Sequence, residues 1–240
     1  MSGLGSVVRK ELRSYFNSPI AYIVVVIFLV FASVWFFVIQ DFFGTNIASL
    51  RGYYGVLPIV FVFLVPAITM RMWSEERRAG TDEVLLTLPL RERDLVVGKY
   101  LAGIVLLAIA IGLTVFVPIT VLRFGDFERG EIVGQYVGLL LLGSAGVAIG
   151  QLVSSLSRNQ ISAFLFGALM LLALTLVARV NSVAELPSWL AGLVNYLSLD
   201  YHYRGFNRGI VDTRDLVYFV ALTAAGLYAT TRVLIARKIR

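Results

Sequence analysis

The chain has 240 residues, is 58% hydrophobic and only 15% charged, and has a mean hydropathy of +0.83, whereas soluble domains carry roughly 25% charge. Its net charge of +6 sits in clusters separated by long uncharged stretches. This excludes a soluble globular domain and identifies a polytopic membrane protein. Cysteine is absent, which excludes disulfides, thiolate metal sites and thiol catalysis.

Residues 1–17 place Leu4, Val8, Leu12, Tyr15 and Phe16 near one face at helical spacing, with Arg9, Lys10 and Arg13 off it. A basic amphipathic helix of this kind lies in the membrane interface; a plain charged anchor is the alternative. Six stretches then approach the roughly 20 apolar residues needed to cross about 30 Å of hydrocarbon. They are 19–39, 54–70, 100–122, 132–154, 160–178 and 216–235. The last carries Arg232 near its end, where a long side chain can snorkel to the interface. Each span is predicted helical, because backbone groups in lipid need partners within their own segment. Runs such as Tyr22 to Phe31 are apolar on every face, against the alternation of a β-barrel. The fold class is therefore all-α, with six transmembrane helices behind an N-terminal interfacial helix in one membrane domain. The first span reads as an uncleaved anchor, too long for a signal-peptide core and followed by no small-residue cleavage site.

Between the second and third spans, residues 71–99 carry six acids and six bases and predict a water-exposed loop. Trp73 is expected at the headgroup level. Gly80 breaks the preceding helix, Thr81 and Asp82 can cap a new short one, and Glu83 falls in its first turn. Val84, Leu85, Leu86 and Leu88 give that helix an apolar side and Pro89 stops it. Exposed leucines on a short helix suit a partner groove, or they lie flat on lipid.

Pro58, Pro66 and Pro118 lie inside spans and can kink them, in a moving bundle or a static one. The fourth span holds Gly134, Gly138, Gly143, Gly146 and Gly150, including two G-x-x-x-G spacings that predict close helix packing and no chemistry. Residues 180–215 form the longest loop on the other side. Within it Leu186 to Leu199 spans 14 residues and suits an interfacial or re-entrant piece. Trp189, Tyr196, Tyr201 and Tyr203 suit an aromatic belt, and His202, the only histidine, is expected to be solvated. Fourteen Lys and Arg fall on the N-terminal side of the membrane and seven on the other, which places both termini in the cytoplasm. The basic charge thus reports topology and lipid headgroups, and no nucleic acid is expected as a partner.

No ionisable residue lies within a span away from its ends, and there is no H-E-x-x-H, Cys/His cluster or G-x-S-x-G. The Gly98-Lys99 pair is no Walker loop, since Arg93 stands five positions before Gly98 and Tyr100 follows. The chain is therefore expected to be neither a proton-coupled carrier nor an enzyme, and to draw energy from elsewhere.

Glu76-x-x-x-Gly80-Thr81-x-Glu83-x-Leu85-Leu86-x-Leu88-Pro89, followed by Val97-Gly98-Lys99-Tyr100, resembles the loop between the second and third spans of ABC-2 type transporter permeases. His202-Tyr203-Arg204-Gly205-Phe206-x-Arg208-Gly209-Ile210-Val211-Asp212-x-x-Asp215 is similar to the gliding-motility-associated branch. Arg91 departs from the Ser or Thr cap of many relatives. The resemblance implies a coupling helix around Gly80 to Leu88 that docks on a separate cytoplasmic ABC ATPase, with the N-terminal helix as second contact. The docking residues would be Glu76, Gly80, Thr81, Glu83, Leu85, Leu86 and Leu88, the two acids meeting basic groups of the ATPase or fixing the loop. ATP and magnesium would belong to the ATPase, leaving this chain without a cofactor. It would pair with a second permease, itself or a paralogue, in the lipid of a bacterial inner membrane. The implied function is export, or alternatively ATP-driven mechanotransmission to a periplasmic or envelope partner.

Overall fold

A computed structural model describes residues 3–45, 49–81, 91–125, 127–179 and 187–238. Among these the chain is helical, with no strand. Helix α1 (Gly3–Phe16) precedes α2 (Pro19–Val34), which runs into a π-helical turn at Trp35–Ile39 and the short α3 (Phe42–Thr45). Pro19 occupies the first turn of α2, where its missing N–H removes no bond. Then come α4 (Arg51–Thr69), α5 (Arg71–Ala79), α6 (Glu92–Leu113) and α7 (Phe116–Val121). Pro118 cannot donate to the Thr114 carbonyl, and the third crossing breaks there between α6 and α7. Helices α8 (Arg129–Leu156), α9 (Gln160–Leu176), α10 (Ser188–Leu197), α11 (Leu199–Asn207) and α12 (Thr213–Lys238) complete the chain.

Among the described residues, six helical segments are long and apolar enough to cross a membrane: Pro19–Gly44, Arg51–Ala79, Glu92–Val121, Arg129–Leu156, Gln160–Arg179 and Thr213–Lys238. An even number of crossings brings both chain ends to one end of the bundle, termed proximal, with α10 and α11 at the distal end. The second and fourth crossings form the centre, 72% and 61% buried, against 22% for the first and 28% for the sixth. Outward faces are apolar throughout: Ile23, Val26, Ile27 and Val30 on α2, Ile161, Leu165 and Leu169 on α9, Val217 and Val220 on α12. Surfaces this apolar suit hydrocarbon and would aggregate in water. Hydroxyls join the helices inside: Tyr100 OH lies 2.5 Å from Ser144 Oγ, which lies 3.3 Å from Thr223 Oγ1, linking α6, α8 and α12. Such interhelical bonds contribute about 0.6 kcal/mol each.

The charged stretch between the second and third crossings is shorter than the sequence suggested. Arg71–Ala79 and Glu92–Lys99 are helical extensions of the crossings, and Met72, Trp73, Leu95, Val96 and Lys99 are buried. Trp73 packs inside the protein, and its place is not the headgroup belt. The physical reason is that Arg71 pairs with Glu75 and Lys99 with Glu76, so these four charges do not require full hydration. At the distal end Tyr203 is likewise buried, its hydroxyl donating to the Tyr54 carbonyl at 3.1 Å. Burial, and then the nearby Asp200 carboxylate, raise the Tyr203 hydroxyl above its ordinary range, so it remains a neutral donor. Trp189, Tyr196 and Tyr201 stay exposed.

His202, expected in solvent, is 3% exposed. Its Nδ1 lies 2.7 Å from Asp215 Oδ1 and its Nε2 3.1 Å from the Tyr196 carbonyl, with the ring stacked 3.8 Å from that of Tyr218. The histidine thus ties α10 and α11 to the start of α12. Composition alone could not reveal this, because Asp215 is thirteen residues away.

Candidate functional site

Nothing among the described residues groups three His, Cys, Asp or Glu as a metal site. The most elaborate polar construction lies at the proximal end, around Lys99. Its Nζ donates to Glu11 Oε1 of α1 at 2.9 Å and to Glu76 Oε1 of α5 at 3.0 Å. It also stands 4.9 Å from the centroid of the Trp73 ring, within cation–π range. Lys10 adds a second cation on Glu76 Oε1 at 3.2 Å. Lys99 itself is 2% exposed. A charge this deep persists only when paired and hydrogen-bonded, and here three helices converge to supply the partners.

Local sequence explains the convergence. Val7, Glu11 and Tyr15 of α1 fall at i, i+4 and i+8 and form its buried stripe. Gly98 lets α1 lie flush on α6: a Cβ there would come within 2.7 Å of Val7 Cγ1. The Gly98-Lys99 pair therefore has a packing role, glycine for approach and lysine for the ion pairs. Farther along α1, Tyr15 OH donates to the Ile68 carbonyl at 3.0 Å. Burial, then the Glu11 carboxylate, raise the Tyr15 hydroxyl well above its ordinary range, so it stays a neutral donor.

The stem formed by α5 is held equally firmly. Arg71 grips Glu75 through two 2.8 Å bonds and reaches Ser18 Oγ at 2.5 Å. Arg77 donates to the carbonyls of Leu156 and Ser157, and Arg237 to that of Ser155. Where α4 passes into α5, Ser154 Oγ of α8 accepts from the backbone N–H groups of Trp73 (3.1 Å) and Ser74 (3.3 Å) and donates to the Met70 carbonyl. Ser154→Ala should therefore destabilise the protein by about 1–2 kcal/mol, since two buried donors lose their acceptor. Thermal unfolding in detergent would measure this, and Ser155→Ala, whose hydroxyl bonds only the Leu152 carbonyl of its own helix, is the control.

Glu76 is thus engaged within the protein, on Lys99 and Lys10. Gly80 ends α5 in the left-handed region at φ 67°, with its N–H on the Arg77 carbonyl and the Thr81 N–H on the Glu76 carbonyl, a Schellman closure. Thr81, expected to start the next helix, bonds backwards, its hydroxyl also donating to the Glu76 carbonyl at 3.3 Å. Glu83, Leu85, Leu86 and Leu88 lie outside the described residues.

Four of the fourth-crossing glycines face two neighbours, and a Cβ on the fifth, Gly143, would collide with Leu107 of α6. A Cβ on Gly134 would meet the Gly209 backbone at 3.0 Å, and one on Gly138 would collide with Phe206. Gly146 and Gly150 face α4, the first at ordinary contact with Val65 and the second against Thr69. Near Gly134, Arg51 binds Glu131 at 2.9 and 3.2 Å, and Gln135 donates to Glu131 and to the Asn207 carbonyl. A polar cavity of about 300 Å³ opens beside these groups, lined also by Ser49 and Glu128. A second, apolar cavity of about 360 Å³ lies between α2, α4 and α9, lined by Phe28, Phe31, Phe63 and Phe164 among others.

The sequence model of the family described as "ABC-2 family transporter protein" matches residues 39–208. No curated protein matches the chain. The matched stretch contains Glu76, Lys99, Ser154 and all four packing glycines, while Glu11 precedes it.

Proposed function

The chain belongs to the ABC-2 transporter family, and from that premise we propose that it is the permease of an exporter driven by a separate cytoplasmic ATPase, with its proximal end in the cytoplasm. The observation that carries this reading is the build of the proximal end. Two helices that bracket residues 82–90, α5 before and α6 after, are joined through Glu76 and Lys99, and α1 is joined to both. A push passed from the bracketed segment to α5 or α6 therefore reaches the membrane helices through paired charges and a capped stem.

Under this reading Glu83, Leu85, Leu86 and Leu88 meet the ATPase, Gly80 and Thr81 close the stem beneath them, and ATP with magnesium stays on the partner. A second permease, a copy or a paralogue, completes the complex in a bacterial inner membrane. The apolar cavity between α2, α4 and α9 supports a substrate with apolar surface. Placement in the gliding-motility-associated branch rests on His202 to Asp215. Mechanotransmission to an envelope partner is the second reading, favoured by the exposed face of Trp189, Leu193, Tyr196 and Leu197 on distal α10.

The deciding experiment is purification in mild detergent with the accompanying ATPase. Glu83→Arg combined with Leu85→Asp should abolish the association; an intact complex would refute docking at this segment. Substrate flux in inverted vesicles then separates export from mechanotransmission.

A further inference from the structure

We infer that the polar cavity at the distal end binds a protonated primary amine, carried by a small solute or by a lipid headgroup. The cavity of about 300 Å³ is walled by Ser49 and Arg51, where α4 begins, and by Glu128, Glu131 and Gln135, where α8 begins. A molecule of water occupies about 30 Å³ in the liquid, so there is room for a small ligand. Two membrane crossings start here, which sets the cavity at the level of the headgroups.

Hydrogen-bond accounting supplies the first argument. Gln135 is fully buried. Its Nε2 donates to Glu131 Oε1 and to the Asn207 carbonyl, both at 3.0 Å. Those two acceptors fix the orientation of the amide, since a flip would set oxygen against oxygen. Its Oε1 is the end left over, buried and without a donor among the described residues. Asn207 repeats the pattern: Nδ2 donates to the Arg51 carbonyl at 3.3 Å, while Oδ1 is buried and receives nothing from a described residue. Buried acceptors are costly to leave unmade, and two in adjoining side chains call for a ligand that donates.

Charge supplies the second. Glu128, Glu131 and Gln135 fall at i, i+3 and i+7, on one face of α8. Arg51 grips Glu131 at 2.9 and 3.2 Å and also lies within electrostatic reach of Glu128. Glu128 is exposed, and its side chain neither caps α8 nor forms an ion pair among the described residues. One guanidinium thus stands against two carboxylates. Arg129 and Arg208 are exposed nearby, but neither lines the cavity.

A primary ammonium answers both features, with three N–H donors and a positive charge. An anion would meet Glu128 and the Gln135 oxygen. A divalent cation would need more carboxylate than remains, because Arg51 already holds Glu131. A quaternary ammonium has the charge but nothing to donate.

The test titrates ethanolamine, choline and glycerol into the purified full chain in detergent, followed by ligand-observed NMR. Ethanolamine should saturate one site, with choline weaker by about tenfold for want of an N–H donor. Glycerol, which donates but carries no charge, should also bind more weakly. Equal binding of choline or glycerol overturns the inference, as does the absence of saturable ethanolamine binding, which would leave the cavity to water. In Gln135→Lys the protein supplies the ammonium itself, and ethanolamine binding should be lost; binding retained there overturns the inference too. Should that variant not fold, Glu128→Gln decides: its affinity should fall by about threefold, as for an exposed ion pair, and unchanged affinity defeats the proposal. Phosphatidylethanolamine retained over phosphatidylcholine in native mass spectrometry identifies a headgroup as the source, whereas ethanolamine binding without that preference identifies a free amine. Binding is read on this chain without an ATPase, so failure here leaves the permease reading standing.

Discussion

Replacing Lys99 with methionine is expected to destabilise the protein by about 3 kcal/mol or more, the cost of leaving buried charges without their partner. Lys99 bridges Glu11 and Glu76 at 2.9 and 3.0 Å while almost fully buried. With the ammonium gone, two carboxylates from different helices face each other across the gap. Only the largely exposed Lys10 is left to offset them, at 3.2 Å from Glu76 and 3.8 Å from Glu11. The diagnostic comparison is the triple variant Glu11→Gln, Lys99→Met, Glu76→Gln. Removing every charge together should restore most of the loss, because a buried ion cluster adds little over a neutral one of similar volume. Thermal unfolding of wild type and both variants in detergent reads the two effects. If the triple variant is as unstable as Lys99→Met alone, lost packing dominates and the electrostatic account fails.

The triple variant also separates stability from coupling. It should fold, yet α1 would no longer be tied to α5 and α6 by charge. If the cluster transmits force, ATPase stimulation in the complex should fall while association persists.

Gly134→Val should cost about 2–3 kcal/mol, through overpacking against a neighbour that cannot move aside. A Cβ at Gly134 would approach the Gly209 Cα at 3.0 Å. Gly209 itself sits at φ 76°, and a Cβ there would come within 2.8 Å of the Glu131 Cα. The contact is backbone against backbone, so no side chain can rotate away. At Gly150 a Cβ would overlap Oγ1 of the buried Thr69 and come within 3.0 Å of its Cβ, whereas Gly146 has ordinary clearance from Val65. The expected order of damage for valine is therefore Gly134 and Gly150 both above Gly146. Gly112→Ala provides the contrast, since nothing lies within 4 Å of the point its new Cβ would occupy and alanine is the better helix former. It should be neutral or stabilise by up to about 1 kcal/mol. Equal losses at Gly134 and Gly146, again read by thermal unfolding, would refute the backbone-contact explanation.

Much of this architecture is legible in the sequence because lipid imposes a simple rule. Backbone groups in hydrocarbon must bond within their own segment, so long apolar runs such as Tyr22 to Phe31 can only be helices. The glycine spacing of the fourth crossing marks a close-packed helix for an equally local reason, the absence of a Cβ. Gly80 marks the end of α5, since glycine accepts the left-handed conformation at no steric cost. Less legible is the proximal cluster. A signal exists in Glu11, an acid in line with Val7 and Tyr15 on one stripe of α1. An acid on a buried stripe calls for a cation on the opposing helix, but the sequence does not say which helix opposes it.

Sequence by itself determined the class of the protein, the number of crossings, the stem that ends at Gly80 and the family resemblance of the loop, all properties set within a few turns of chain. Only the tertiary structure decided which charges are engaged and which are free. Lys99 lies 88 residues from Glu11 and 23 from Glu76, and Asp215 lies thirteen from His202. Pairing over such separations depends on how helices are juxtaposed. It turned Trp73, Tyr203 and His202 inward, and it drew Glu11 and Glu76 onto Lys99 while Arg9, Arg13 and Arg78 stayed exposed. Burial makes such pairing decisive, because a charge removed from water must find its partner within the fold.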